Sequence, residues 1–144
     1  MPSVTAVSEN LEKEGPIIEI HFSISQELEK KYKEEGKPVP KPIATRALID
    51  TGASACVVKK EIPQALGLEP IGVIKISTPS HKDIECYQYF MRMVIPVQGI
   101  AYQGPFIAAA LEEQNINSLI GRDILANGIL IYIGYMNQFT FSLL

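Results

Sequence analysis

The sequence predicts an all-β domain with one or two short helices, and three observations carry that prediction. Ile17 to Ser25 alternates, with Ile18, Ile20, Phe22 and Ile24 on one side and Glu19, His21 and Ser23 on the other, the period of a half-buried strand. Two β-rich runs, Ile71 to Ser77 and Ile84 to Val97, flank a polar stretch, Thr78-Pro79-Ser80-His81-Lys82-Asp83, as the arms of a long hairpin would. The chain closes with two further apolar runs, Ile129 to Ile133 and Phe139 to Leu143, joined through Gly134-Tyr135-Met136-Asn137-Gln138.

Size and composition narrow the class. The 144 residues suit one domain, which at this length buries roughly two thirds of its unfolded surface. An apolar fraction of 47% with 20% charged residues is that of an ordinary soluble protein. The net charge of -3, with no basic stripe and no glycine-rich phosphate loop, argues against nucleic acid or nucleotide as a partner. No apolar run reaches the length of a membrane span, and the N-terminus lacks the basic-then-apolar pattern of a signal peptide. Two cysteines, Cys56 and Cys86, make no disulfide framework, so a reducing, cytoplasmic setting is expected. His21 and His81 stand far apart without clustered ligands, so neither a metal nor a cofactor is expected.

Taken in order, residues 1–15 are polar, show no dependable period and read as a flexible N-terminal arm ending at Gly15-Pro16. After the alternating strand, residues 26–41 form a charged insertion. Glu27 and Lys31, Glu29 and Lys33, Lys30 and Glu34, and Lys31 and Glu35 stand four apart, which supports a short exposed helix. Gly36 stops it, and Pro38, Pro40 and Pro42 keep the chain extended beyond. Ala44 to Ile49 and Ala55 to Val58 read as strands, and Lys60 to Leu66 as a helical turn closed by Gly67. Gly99 to Gly104 reads as a turn region leading into a strand over Phe106 to Leu111. Glu112-Glu113-Gln114-Asn115 is a polar loop, and Arg122 to Ala126 a short helix closed by Asn127-Gly128.

The chain is organised around Ala47-Leu48-Ile49-Asp50-Thr51-Gly52-Ala53-Ser54. A carboxylate at the end of an apolar run is costly to bury unless it is hydrogen-bonded or shares its proton. Gly52 lets the backbone turn sharply beside it. Further on, Asn117-Ser118-Leu119-Ile120-Gly121-Arg122-Asp123-Ile124-Leu125 echoes the first stretch: two apolar residues, then Gly121 and a short helix. Loop, spacing and second segment together resemble the retropepsin-like aspartic peptidases, single-domain homodimeric proteins, over roughly residues 16–144.

That resemblance implies a closed β-barrel or sandwich with a flap hairpin, active as a homodimer. It makes Asp50 the catalytic residue and Thr51, Gly52, Ala53 and Ser54 the rest of the active-site loop. Thr78, Pro79, Ser80, His81 and Lys82 fall in the flap, without the glycines of retroviral flap tips. Leu119, Ile120, Gly121 and Arg122 form the second loop segment. Ser54 stands where retroviral members carry a second Asp paired with the arginine of that segment, so Arg122 is expected to find another partner. Asp123 reads as a helix N-terminal residue suited to the dipole.

One Asp-Thr-Gly per chain means that a second carboxylate must come from a second copy. Phe139, Phe141 and Leu143 share one face of a terminal strand, and the resemblance implies that such terminal strands interleave across the dimer. The expected function is an aspartic endopeptidase acting on polypeptide. Two other readings stay open: a dimerisation or peptide-binding module on the same fold, and a β-rich structural protein carrying the motif by chance.

Overall fold

The computed structural model describes residues 2–77, 82–97, 99–111 and 115–144. The strands are β1 (Ser3–Val7), β2 (Ile17–Ser23), β3 (Ile43–Ile49), β4 (Val57–Val58), β5 (Gly72–Ile76), β6 (Ile84–Ile95), β7 (Ile100–Ala108), β8 (Ser118–Ile120), β9 (Gly128–Ile133) and β10 (Gln138–Leu143). The helices are α1 (Leu11–Glu14), α2 (Gln26–Glu34), α3 (Glu61–Ala65) and α4 (Arg122–Leu125), with a 3-10 turn at Gly134–Met136.

Seven strands form one sheet in the order β2-β3-β8-β4-β7-β6-β5. Pairing of β2 with β6, His21 opposite Val94 and Ser23 opposite Arg92, closes six of them into a barrel. β5 hangs outside on β6, giving the hairpin expected from residues 71–97, with Gly72 opposite Gln88 and Ile76 opposite Ile84. The alternation read in β2 is what the barrel buries: Ile18, Ile20, Phe22 and Ile24 are at most 5% exposed. The rings of Phe22 and Phe106 meet edge to face at 5.2 Å inside.

The charged insertion folds as foreseen. Ser25 caps α2 by accepting from the Leu28 N–H at 3.2 Å, Glu29 and Lys33 pair at 3.3 Å, and Gly36 takes a positive φ just beyond the helix. Boundaries differ at β7, which starts at Ile100 rather than Phe106. Its first residues pair antiparallel with the far end of β6, from Ile95 opposite Ile100 onward, so that strand pairing overrides the turn composition of 99–104.

Two expectations about the termini are corrected. Residues 2–15 do not stand apart as an arm: β1 pairs with β10, Ser3 opposite Ser142 and Val7 opposite Gln138, and Leu11 is fully buried. The terminal strand pairs within its own chain, where the resemblance implied interleaving across a dimer. β10 is the centre of a separate sheet ordered β1-β10-β9, so both its edges are taken within one chain. The hydroxyls of Ser3 and Ser142 lie 2.5 Å apart, and those of Thr5 and Thr140 2.8 Å. Phe139, Phe141 and Leu143 drive this by entering the core, each at most 6% exposed.

Candidate active site

Asp50 is positioned by a parallel strand pair. β3 and β8 run side by side with Leu48 opposite Leu119 and Ile49 opposite Ile120. The echo between the two segments is therefore a spatial register, and it sets Asp50 beside Gly121. The Asp50 N–H continues the ladder, donating to the Ile120 carbonyl at 2.9 Å.

The loop then folds back on its own carboxylate. The Gly52 N–H donates to Asp50 Oδ1 at 2.8 Å, and the Ala53 N–H donates to the Asp50 carbonyl at 3.1 Å. A Cβ on Gly52 would stand 3.1 Å from Oδ1, so this tight Asx-type turn favours glycine. The Asp50 side chain stays half-exposed, and Thr51, Gly52 and Ser54 face solvent.

The second segment braces the loop from below. The Arg122 N–H donates to the Ala53 carbonyl at 2.8 Å, and its guanidinium Nη1 donates to the Thr51 carbonyl at 2.7 Å. Arg122 thus finds its partner on the loop backbone, consistent with Ser54 lacking a carboxylate. Gly121 is forced: a Cβ there would lie 2.6 Å from the Ala55 carbonyl carbon and oxygen, a contact that real side chains do not make. Leu119 is half-buried and Ile120 fully buried, so both serve the core.

A second brace was not visible in the sequence. The Asp123 carboxylate is more than a partner for the α4 dipole. Its Oδ2 accepts from the Cys56 N–H at 3.0 Å, and its Oδ1 accepts from the Cys56 thiol at 3.0 Å and from the Ile124 N–H at 2.8 Å. The Gly121 N–H donates to Cys56 Sγ at 3.3 Å. Burial, and then the hydrogen bond to Asp123, push the Cys56 thiol far above its ordinary pKa, so it stays a protonated donor. The signal available in advance was Asp123 ahead of apolar Ile124 and Leu125, since a carboxylate set among apolar residues needs donors.

Of the five residues placed in the hairpin tip, Thr78, Pro79, Ser80 and His81 lie outside the described residues, and Lys82 is exposed just before β6. Beside the first residues of β6, at the tip end of the hairpin, is a cleft of about 670 Å³. Ile84 and Cys86 of β6, Ile62 of α3 and the small Ala108, Ala109 and Ala110 line it, with Lys59 and Lys60 at its side. It does not include Asp50. Among the described residues, no group of three or more His, Cys, Asp or Glu is placed to hold a metal ion, and no helix is long and apolar enough to cross a membrane.

No family model matches the sequence, and no curated protein matches it. Among solved structures the chain is similar to a retropepsin-like aspartic protease from Rickettsia conorii, with a TM-score of 0.54 and 15% identity over 98% of this chain and 90% of that one. A likeness at that identity establishes architecture: the chain has a retropepsin-like fold, mostly β with a closed six-stranded barrel and few short helices.

Proposed function

We propose that the chain is an aspartic endopeptidase that works as a homodimer, with the attacking water held between two Asp50 carboxylates, one from each copy. The observation that carries this reading is the placement of Asp50 on a retropepsin-like fold. It stands half-exposed at the joint of two parallel strands, in a turn closed by its own carboxylate and braced by Gly121 and Arg122.

The chemistry follows from pairing. Two carboxylates in contact cannot both ionise, so they share one proton and titrate as a unit. The ionised member takes a proton from the water, while the protonated member polarises the scissile carbonyl. The hydroxide equivalent then adds to that carbonyl, and the proton returns to the leaving amine. No covalent enzyme intermediate is needed. Cys56, fully buried and held as a thiol, is no nucleophile.

In this reading the β5–β6 hairpin acts as the flap, and polypeptide binds as an extended strand beneath it, recognised by main-chain bonds and alternating pockets. The apolar floor of the cleft beside the start of β6 suits large apolar side chains of the substrate. The cytoplasmic setting belongs to the same reading.

The test is digestion of a mixed peptide library by concentrated protein at several pH values between about 2 and 7, which spans the loss of the shared proton from a coupled carboxylate pair, with Asp50→Asn alongside. Cleavage by the wild type that falls by about 10⁴-fold or more in the variant, as losing an essential member of a catalytic unit does, is the expected result. Equal cleavage by both proteins, or none by a folded dimer, would overturn the proposal; the second outcome would leave a peptide-binding module.

A further inference from the structure

We infer that β9 is the strand through which two copies of this chain join, edge to edge across a two-fold axis. This rests on the homodimer reading above and specifies its interface. The interleaving expected of terminal strands has no free edge to use, because β10 is already flanked by β1 and β9.

The hydrogen-bond register shows what β9 offers. The Leu144 N–H donates to the Asn127 carbonyl, and these residues continue the β9–β10 register. On the other side of β10, the Ser8 N–H donates to the Asn137 carbonyl, continuing the β1–β10 register. In an antiparallel ladder hydrogen-bonded pairs alternate. Ile129, Ile131 and Ile133 therefore bond inward to β10, while Gly128, Leu130 and Tyr132 turn their N–H and C=O groups to the open side.

Proteins normally protect such an edge with charge, proline or a cover. Among the described residues, the open edge of β5 carries exposed Lys75 and is preceded by Glu69 and Pro70. The open edge of β1 carries Thr5 beside exposed Val7 and is followed by Glu9. Among the described residues β9 has no such protection, and no Asp, Glu, Lys or Arg occurs after Asp123. Instead its outward face shows Ile129 and Ile131 at 47% and 49% exposure, with Met136 at 49% and Tyr135 at 91% just beyond. An uncharged, apolar strand edge is a surface built to be paired.

Its position selects a second copy as the occupant. Between β9 and the active-site loop lies a hollow of about 340 Å³ lined by Thr51, Arg122, Leu125 and Leu130. The open edge is thus continuous with the loop that carries Asp50, and a copy seated on it covers both. Isologous pairing uses the same patch on each copy, and one Asp-Thr-Gly per chain leaves the site incomplete without it.

The experiment measures mass by sedimentation and native mass spectrometry for the full chain, Ile131→Lys, Ile131→Glu and an equimolar mixture of the two variants. Like charges across a strand pair repel and opposite charges attract. The expected result is a wild-type dimer, at least tenfold weaker association for each variant alone, and recovery in the mixture. Amide exchange on the wild type gives an answer even if the variants fail to fold: Leu130 and Tyr132 should lose protection on dilution, while Ile129 and Ile131 keep it. A wild-type monomer at all concentrations, variants that dimerise as well as the wild type, or exchange independent of concentration would overturn the inference. The two readings fail separately. A β9 dimer that cleaves nothing removes the peptidase and keeps the interface. Asp50-dependent cleavage by a dimer indifferent to these charges does the reverse.

Discussion

At the scale of single residues, the Asp50 loop is held by side chains from other elements of the fold. Cys56 and Asp123 tie the segment after the Asp50 loop to the helix after Gly121, and Arg122 holds the loop carbonyl of Thr51. The Cys56 thiol gives this brace a pH signature. Its pKa is raised in the folded protein by burial first and by Asp123 second. Below the unfolded thiol value of about 8.5 both states hold the proton and the contribution is complete. Above it the unfolded chain loses the proton while the folded one keeps it, so stability falls as pH rises. The slope approaches about 1.4 kcal/mol per pH unit. Denaturant unfolding at several pH values should show an alkaline decline in the wild type that is shallower in Cys56→Ser; parallel curves would remove this role. The tight turn at Asp50 and Gly52 was legible in the sequence because a short motif encodes local geometry. The Cys56–Asp123 pair was not, since its partners lie 67 residues apart.

At the scale of elements, amphipathic periodicity did most of the predictive work. β2, the β5–β6 hairpin, α2 and the β9–β10 pair lie where alternation, charge spacing and turn residues put them. The misses were segments whose structure is conferred by a neighbour. Ser3-Val4-Thr5-Ala6-Val7 has small side chains and a weak pattern, and becomes a strand because β10 presents an edge to it. Ile100 to Gly104 has turn composition, and becomes a strand because β6 runs alongside. The N-terminal segment is part of the core through Leu11, which is fully buried. Leu11→Ala should therefore cost about 2–5 kcal/mol, as for other buried leucines, when measured by urea unfolding. No measurable loss would return residues 1–15 to the status of an arm.

At the scale of the whole molecule, barrel closure through β2 and β6 leaves the β1-β10-β9 sheet as the platform beside the active-site loop. If that platform brings two copies together, activity belongs to the dimer. The cleavage rate should then fall with the square of concentration once the protein is diluted below its dimer Kd, and linearly above it. Rates measured over a dilution series check this directly, and linearity throughout would place a complete site in one chain. The cleft beside the start of β6 lies outside the Asp50 loop, so in the proposed enzyme it influences which side chains are accepted rather than the bond-breaking step.

What the sequence determined by itself was local and periodic: the Asp-Thr-Gly turn, the buried face of β2, the exposed helix in the insertion, and the echo of the Asp50 segment at Gly121. These follow from contacts between residues close in the chain, or from side-chain patterns that suit only one period. The tertiary structure alone decided the fate of the termini, the partner of Arg122 and the second role of Asp123. Each depends on backbone groups brought together from distant parts of the chain, and no spacing records which strand edge will be covered. The same physics leaves β9 open: β10 has two edges, both are filled within the chain, and the unpaired row passes to the strand outside it.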